Sequence, residues 1–282
     1  MRRVDGSRWL AGGIGLLAWL VPSLLHAAPV APAAPAASAC VRPVYLTFDT
    51  GHMGVAPLIR EVLDRQQVKA TFFLANERTQ TVGARPAGTS LDAHWAPWWK
   101  SLAQAGHDFG SHTWDHVVFK GDRPEGFAMV PTAGERVGQR LLLTPPQYCE
   151  QLRRSADRFE TMTGQPMRAL FRAPGGKTSA KLLRAAERCG WHHVPWTPAG
   201  FLGDELSSAA YPNRALLAQS LKRIRPGDIL LAHLGIWSRQ DAWAPAVLEP
   251  LITGLKARGL CFATLKDHPD YRAVGQAPRL RK

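Results

Sequence analysis

Residues 44–66, Val44-Tyr45-Leu46-Thr47-Phe48-Asp49-Thr50-Gly51-His52-Met53-Gly54-Val55-Ala56-Pro57-Leu58-Ile59-Arg60-Glu61-Val62-Leu63-Asp64-Arg65-Gln66, hold two hydrophobic periods in succession. The first five residues are apolar or β-branched without a break, the pattern of a strand buried on both faces. From Val55 onward the apolar residues fall at Leu58, Ile59, Val62 and Leu63, one face of a helix ending near Gln66. A strand feeding a helix through a short polar turn is the unit of an α/β fold.

The unit recurs along the chain. Strand patterns are predicted at 70–74, 108–110, 169–171, 193–194, 229–232 and 260–265. Helical patterns fall at 95–105, 148–163, 180–188, 213–224 and 246–257, several closed by a glycine such as Gly106, Gly164, Gly190 or Gly259. About seven strands alternating with helices imply parallel pairing, in a distorted (β/α) barrel or a doubly wound sheet. Lys120 to Pro146 breaks the rhythm with Gly, Pro and Arg and reads as a long inserted loop.

Outside the repeat, the N-terminus has a basic start (Arg2, Arg3, Arg8), an apolar run from Trp9 to Leu25 broken by Pro22, and a small-residue exit at Ala27-Ala28. These are the parts of a secretory signal peptide, although the run is nearly long enough to span a membrane. The expected organisation is a signal peptide at 1–27, an Ala/Pro-rich linker at 28–42, one domain at 43–268 and a basic, loose tail at 269–282. The expected location is the periplasm or the exterior, without stable membrane insertion once the signal is removed. Lys and Arg total 35 against 22 acidic residues, a net charge of +13 that favours anionic partners. An exported chain does not meet chromosomal DNA, so no nucleic-acid partner is expected. Four cysteines, an even number, suit disulfides in an oxidising compartment, and their spacing matches no zinc knuckle.

Chemistry-bearing residues follow the strands. Asp49 follows Phe48, His112 and His116 follow Phe109-Gly110, Arg172 follows Phe171, and His233 follows Ala232. In α/β barrels the loops after the strands' C-terminal ends form the active face, which would bring these five together. One helical turn between His112 and His116 would put both imidazoles on one face, as two ligands of one metal require. Each residue also has a plainer reading. Asp49 caps the helix that follows, Arg172 serves a structural ion pair, the histidines bond to backbone, and Trp196 packs in the core.

The string Gly106-His107-Asp108-Phe109-Gly110-Ser111-His112-Thr113-Trp114-Asp115-His116 resembles the second motif of the polysaccharide deacetylases, carbohydrate esterase family 4, whose domain is of the nodulation-protein-B type. Thr47-Phe48-Asp49-Thr50-Gly51, Arg172-Ala173-Pro174-Gly175-Gly176 and Leu231-Ala232-His233 follow in that family's order. The resemblance implies a single-domain distorted barrel that binds a divalent metal, usually Zn2+, and removes acetyl groups from N-acetylated glycans such as peptidoglycan or chitin-like oligosaccharides. Carried over by position, Asp49 is the general base, His112 and His116 hold the metal, Arg172 orients Asp49, and His233 protonates the leaving amine. Gly175 and Trp196 would face the substrate. An O-acetyl or formamido sugar as substrate, or a non-catalytic glycan binder, are the alternatives.

Two departures stand out. The family carries a metal-binding aspartate where this chain has Thr50, and a hydroxyl is a poor ligand for such an ion. Asp49 could bind the metal itself, water could fill the position, or His52 or Asp115 could substitute. Asp204 also sits out of register for the carboxylate that tunes the catalytic histidine. A closed barrel would set Cys40 beside Cys261 and place Cys149 and Cys189 on neighbouring outer helices, which predicts the pairs Cys40–Cys261 and Cys149–Cys189.

Overall fold

The computed structural model describes residues 40–278. The expectations for a signal peptide and for most of the linker lie outside those residues. Among the described residues no helix is long and apolar enough to cross a membrane.

The first strand, β1 (Pro43–Asp49), is buried along nearly its whole length, as its unbroken apolar run requires. Helix α1 (Ala56–Arg65) turns Ala56, Ile59, Val62 and Leu63 inward. The chain continues through β2 (Thr71–Leu74), α2 (Ala96–Gln104) and β3 (Asp108–Ser111). After an excursion described below come α3 (Pro145–Thr163), β7 (Leu170–Phe171), α4 (Ala180–Arg188) and β8 (His192–His193). Then follow α5 (Asn213–Arg223), β9 (Ile229–His233), α6 (Leu248–Ala257) and β10 (Cys261–Ala263).

Seven of these strands form one parallel sheet, in the order β10-β1-β2-β3-β7-β8, with β9 on the other flank of β1. The sheet curls. Between β8 and β9 the gap is bridged by irregular backbone, where the Thr197 and Leu202 amides donate to the Ile229 and Leu231 carbonyls. The fold is thus the expected α/β half-closed barrel, with one wall segment lacking a strand of its own.

The expected loop at Lys120 to Pro146 is instead a small antiparallel sheet of β4 (Val117–Arg123), β5 (Gly126–Pro131) and β6 (Leu141–Leu143). Its Gly, Pro and Arg cluster in the turns, and Phe127, Met129 and Leu143 are buried beneath it. Alternation was present, but over runs too short to stand out between the turn residues. The expected loose tail is also revised for its described part. The Ala169 amide bonds to the Gly275 carbonyl at 2.9 Å, the Ala277 amide to Met167 at 2.8 Å, and Arg168 reaches the Tyr271 and Val274 carbonyls.

Both expected disulfides form, Cys40–Cys261 and Cys149–Cys189. The first follows from register, since Pro43 is paired with Cys261 across β1 and β10. The second joins α3 to the residue that ends α4.

Candidate active site

The C-terminal ends of β1, β2, β3, β7 and β9 meet at one place, and the residues that follow them build the site. Asp49 closes β1 and is 3% exposed. Arg172, wholly buried just after β7, donates from Nη1 to Asp49 Oδ1 at 2.9 Å and from Nε to the Val194 carbonyl at 3.3 Å. Its guanidinium lies 4.4 Å from the centre of the Phe73 ring and 5.8 Å from that of Trp196. Burial works against a charge on Asp49, but Arg172, His112 and His233 outweigh it and hold the carboxyl below its usual value.

His112 and His116 do come together, their ring centres 4.7 Å apart. The predicted helical turn between them is absent. The chain leaves β3 in a tight turn in which Thr113 and His116 adopt left-handed φ of 61° and 47°. His112 Nδ1 lies 2.9 Å from the Arg172 carbonyl. A carbonyl only accepts, so that nitrogen carries the hydrogen and Nε2 carries the lone pair. Burial outweighs the opposing pull of Asp49 and Glu77 and pushes the His112 pKa down to about 4, so the ring is neutral at pH 7. Its Nε2 stands 3.4 Å from Asp49 Oδ2. His116 Nδ1 meets Thr132 Oγ1 at 2.5 Å, which orients the ring, although a hydroxyl can both donate and accept and so does not select the tautomer.

The neighbouring strand β9 carries an acid beside Asp49. His233, at the end of β9, has its Nδ1 3.1 Å from Asp204 Oδ1, and its backbone amide donates to Asp204 Oδ2 at 2.6 Å. Burial disfavours its charge, but Asp204, Asp49 and Glu205 more than offset this and push its pKa up to about 9. Asp204 therefore partners the histidine despite its displaced place in the sequence. The irregular wall between β8 and β9 lets it arrive from a different distance along the chain. A cleft of about 210 Å³ lies beside this pair, lined also by His52, Gln80 and Trp243.

Gly175 is exposed, with a φ of 63° and open space where a side chain would stand. Trp196 is half-buried and seals the space over Gly176, where a Cβ would meet its ring at 2.5 Å.

Neither suggested substitute for the carboxylate missing at Thr50 is turned to the histidines. Asp115 is bound to the Gln151 amide at 2.8 Å. His52 accepts from the Gly54 amide at 2.9 Å and stacks edge-on against Trp237. The carboxylate that does stand there is Glu77, three residues past β2, which sequence reasoning missed. Thr50 Oγ1 donates to its Oε2, as does the Gly51 amide at 2.7 Å. Gly51 takes a φ of 85° to present that amide, and a Cβ there would strike the Gly235 carbonyl at 2.2 Å. Burial raises the Glu77 pKa, but His116, His112 and the two donors hold it below its usual value. The signal was available, since Glu77 follows a strand's C-terminal end like the other site residues, but no motif spacing marks it.

The polysaccharide deacetylase pattern matches residues 37–194, more than half of the chain. The chain belongs to the polysaccharide deacetylase family of hydrolases. It is 27% identical over 232 residues to a chitooligosaccharide deacetylase of Azorhizobium caulinodans, covering 79% of this chain and 92% of that one. It is 25% identical to a peptidoglycan-N-acetylmuramic acid deacetylase of Bacillus subtilis, covering 80% and 71% respectively. A family 4 acetyl xylan esterase of Clostridium thermocellum, solved with a cobalt ion, superposes with a TM-score of 0.60 at 21% identity, over 85% of this chain and 96% of that one.

Among the described residues no group of three His, Cys, Asp or Glu side chains stands at coordination geometry. The donor chemistry nevertheless fits a divalent metal. Two imidazoles have Nδ1 tied to an oxygen, the outer support that orients metal-ligating histidines. The His112 Nε2 lone pair faces a carboxylate oxygen, an arrangement favourable only with a cation or proton between them.

Proposed function

We propose that this chain is an exported, metal-dependent hydrolase that removes N-acetyl groups from an N-acetylated glycan, with peptidoglycan or a chitin-like oligosaccharide as substrate. The observation that carries the reading is the pairing of two oppositely prepared groups side by side, Asp49 at the end of β1 and His233 at the matching position of β9. Asp49 is kept ionised by Arg172, and His233 is kept protonated by Asp204. Amide hydrolysis needs that combination, a base to take a proton from the attacking water and an acid to give one to the departing nitrogen.

In this reading Asp49 Oδ2 accepts the water's proton while Arg172 holds the other carboxylate oxygen in place. His233 delivers its proton to the amine, and Asp204 stabilises the charged ring until it does. His112 and His116 would hold the metal, Zn2+ being the ion best suited to two imidazoles with a carboxylate. When bound, such an ion lowers the pKa of water and polarises the acetyl carbonyl. The Gly175 backbone and the Trp196 ring would border the sugar, and the open space at Gly175 leaves the approach unobstructed. Two disulfides suit an oxidising compartment, which supports export to the periplasm or beyond.

Acetate release from N-acetylglucosamine oligomers and from purified peptidoglycan tests this, measured before and after chelator and again after zinc is restored. Release that chelator abolishes and zinc restores is expected. Release indifferent to chelator would remove the metal from the account, and none from either substrate would remove the deacetylase.

A further inference from the structure

The end of β1 contains a charge that its own surroundings do not balance. Asp49 is already paired with Arg172, whose Nη1 lies 2.9 Å from its Oδ1. Glu77 is a second carboxylate in the same space, and among the described residues no Lys or Arg pairs with it. Its partners are a threonine hydroxyl and a backbone amide, and both donate to Oε2. Oε1 receives no hydrogen bond from a described residue. A carboxylate bonded to the residue next to Asp49, without a cationic side chain, lacks a counter-charge of its own.

The loop that carries Glu77 is also built to hold it. The Glu77 amide donates to Ser90 Oγ at 3.1 Å, and the Ser90 amide donates back to the Glu77 carbonyl at 2.9 Å. Ser90 is fully buried, and its hydroxyl donates in turn to the Ala75 carbonyl. Thr50 Oγ1, besides donating to Glu77, accepts the Ala75 amide at 3.1 Å. The single donor of the Thr50 hydroxyl therefore goes to Glu77, and one of its two acceptor positions ties it to the start of the loop that carries Glu77.

We propose that Glu77 is the third protein ligand of the His112–His116 metal site. It brings from the loop after β2 the carboxylate that position 50 lacks, and Thr50 serves as its positioning residue. The proposal rests on the metal-dependent reading above. Two imidazoles and one carboxylate form a three-ligand set of the kind that leaves catalytic zinc an open position for water. With Glu77 as ligand, Asp49 keeps both of its oxygens for Arg172 and for proton transfer.

The test is the zinc affinity of the stripped full chain, by competition with a chromophoric chelator, together with the visible absorption of the Co2+ form. Glu77→Gln keeps size and acceptor oxygen but loses the charge, and should weaken zinc binding by about 100-fold or more, as should His112→Ala. Moving the carboxylate back, with Thr50→Asp and Glu77→Ser together, should recover most of that loss and alter the Co2+ bands. Thr50→Val leaves Glu77 in place without its hydroxyl anchor, and should weaken binding by about 10-fold. It decides the matter even if Glu77→Gln fails to fold, because unchanged affinity in a folded Thr50→Val variant would overturn the proposal. Unchanged affinity in Glu77→Gln alongside loss in His112→Ala would overturn Glu77 alone and leave the metal site standing. Unchanged affinity in both would overturn the metal-dependent reading as well.

Discussion

Each side chain at the head of β1 has one task that its neighbours enforce, so single substitutions there have separable signatures. Asp49→Asn preserves the shape that receives Arg172 but cannot accept a proton. Deacetylation should fall by about 100-fold or more in the folded variant, whose melting temperature should also drop because Arg172 is left as a buried charge without its partner, and wild-type turnover would reduce Asp49 to a structural ion-pair residue. His233 holds its proton up to about pH 9. The acid step needs that proton, so the rate should persist through neutral pH and decline as pH rises through about 9. Asp204→Asn withdraws the strongest support for the charge, and the alkaline limb of kcat/KM against pH should move to lower pH. A limb that stays in place would assign it to another group. Asp49, His112, His116, Arg172 and His233 could be singled out because each lies at, or within a few residues after, a strand's C-terminal end inside a recognisable string. Glu77 could not, because its bond to Thr50 is visible only once the β1 and β2 ends lie side by side. Asp204 was misread for a related reason, since a register along the sequence says nothing when the intervening wall is irregular backbone.

At the level of elements, the small antiparallel sheet of β4 to β6 is tied to the chemistry through the turn after β3. Thr132, just past β5, meets the His116 ring, while its amide donates to the His116 carbonyl at 3.2 Å and the Ala133 amide to Asp115 at 3.1 Å. The left-handed φ of His116 is maintained by that contact with the neighbouring strand pair. Thr132→Val removes the ring's support without changing volume, and should weaken zinc binding by about 10-fold with little effect on unfolding. Isothermal titration of the stripped protein measures this, and full affinity would mean that the turn holds His116 unaided. Of the seven parallel strands, β1, β2 and β9 could be read from unbroken apolar runs, whereas β3, β7, β8 and β10 are two to four residues long and were legible only from their alternation with helical spacing. The inserted sheet could not, because its buried positions are Phe127, Met129 and Leu143, scattered among Gly, Pro and Arg that dominate any local window.

Over the whole molecule, stability is shared between the sheet's core and two covalent ties. Cys149–Cys189 spans 40 residues, a loop whose closure is worth about 4 kcal/mol on the chain-entropy estimate. Replacing both by serine should lower the unfolding free energy by roughly 2–4 kcal/mol in urea titration, and a change near zero would mean that packing of α3 on α4 already confines the segment. Both pairings were legible because a curled sheet makes sequence-distant strands neighbours, and the pairing β1–β10 is the nearest instance. The other tie, Cys40–Cys261, also has a mechanical consequence. It sits where the preceding chain enters β1, the strand that ends in Asp49. Fraying that starts at the exposed Cys40 end cannot travel along β1 toward Asp49 without also displacing β10, to which the bridge holds it.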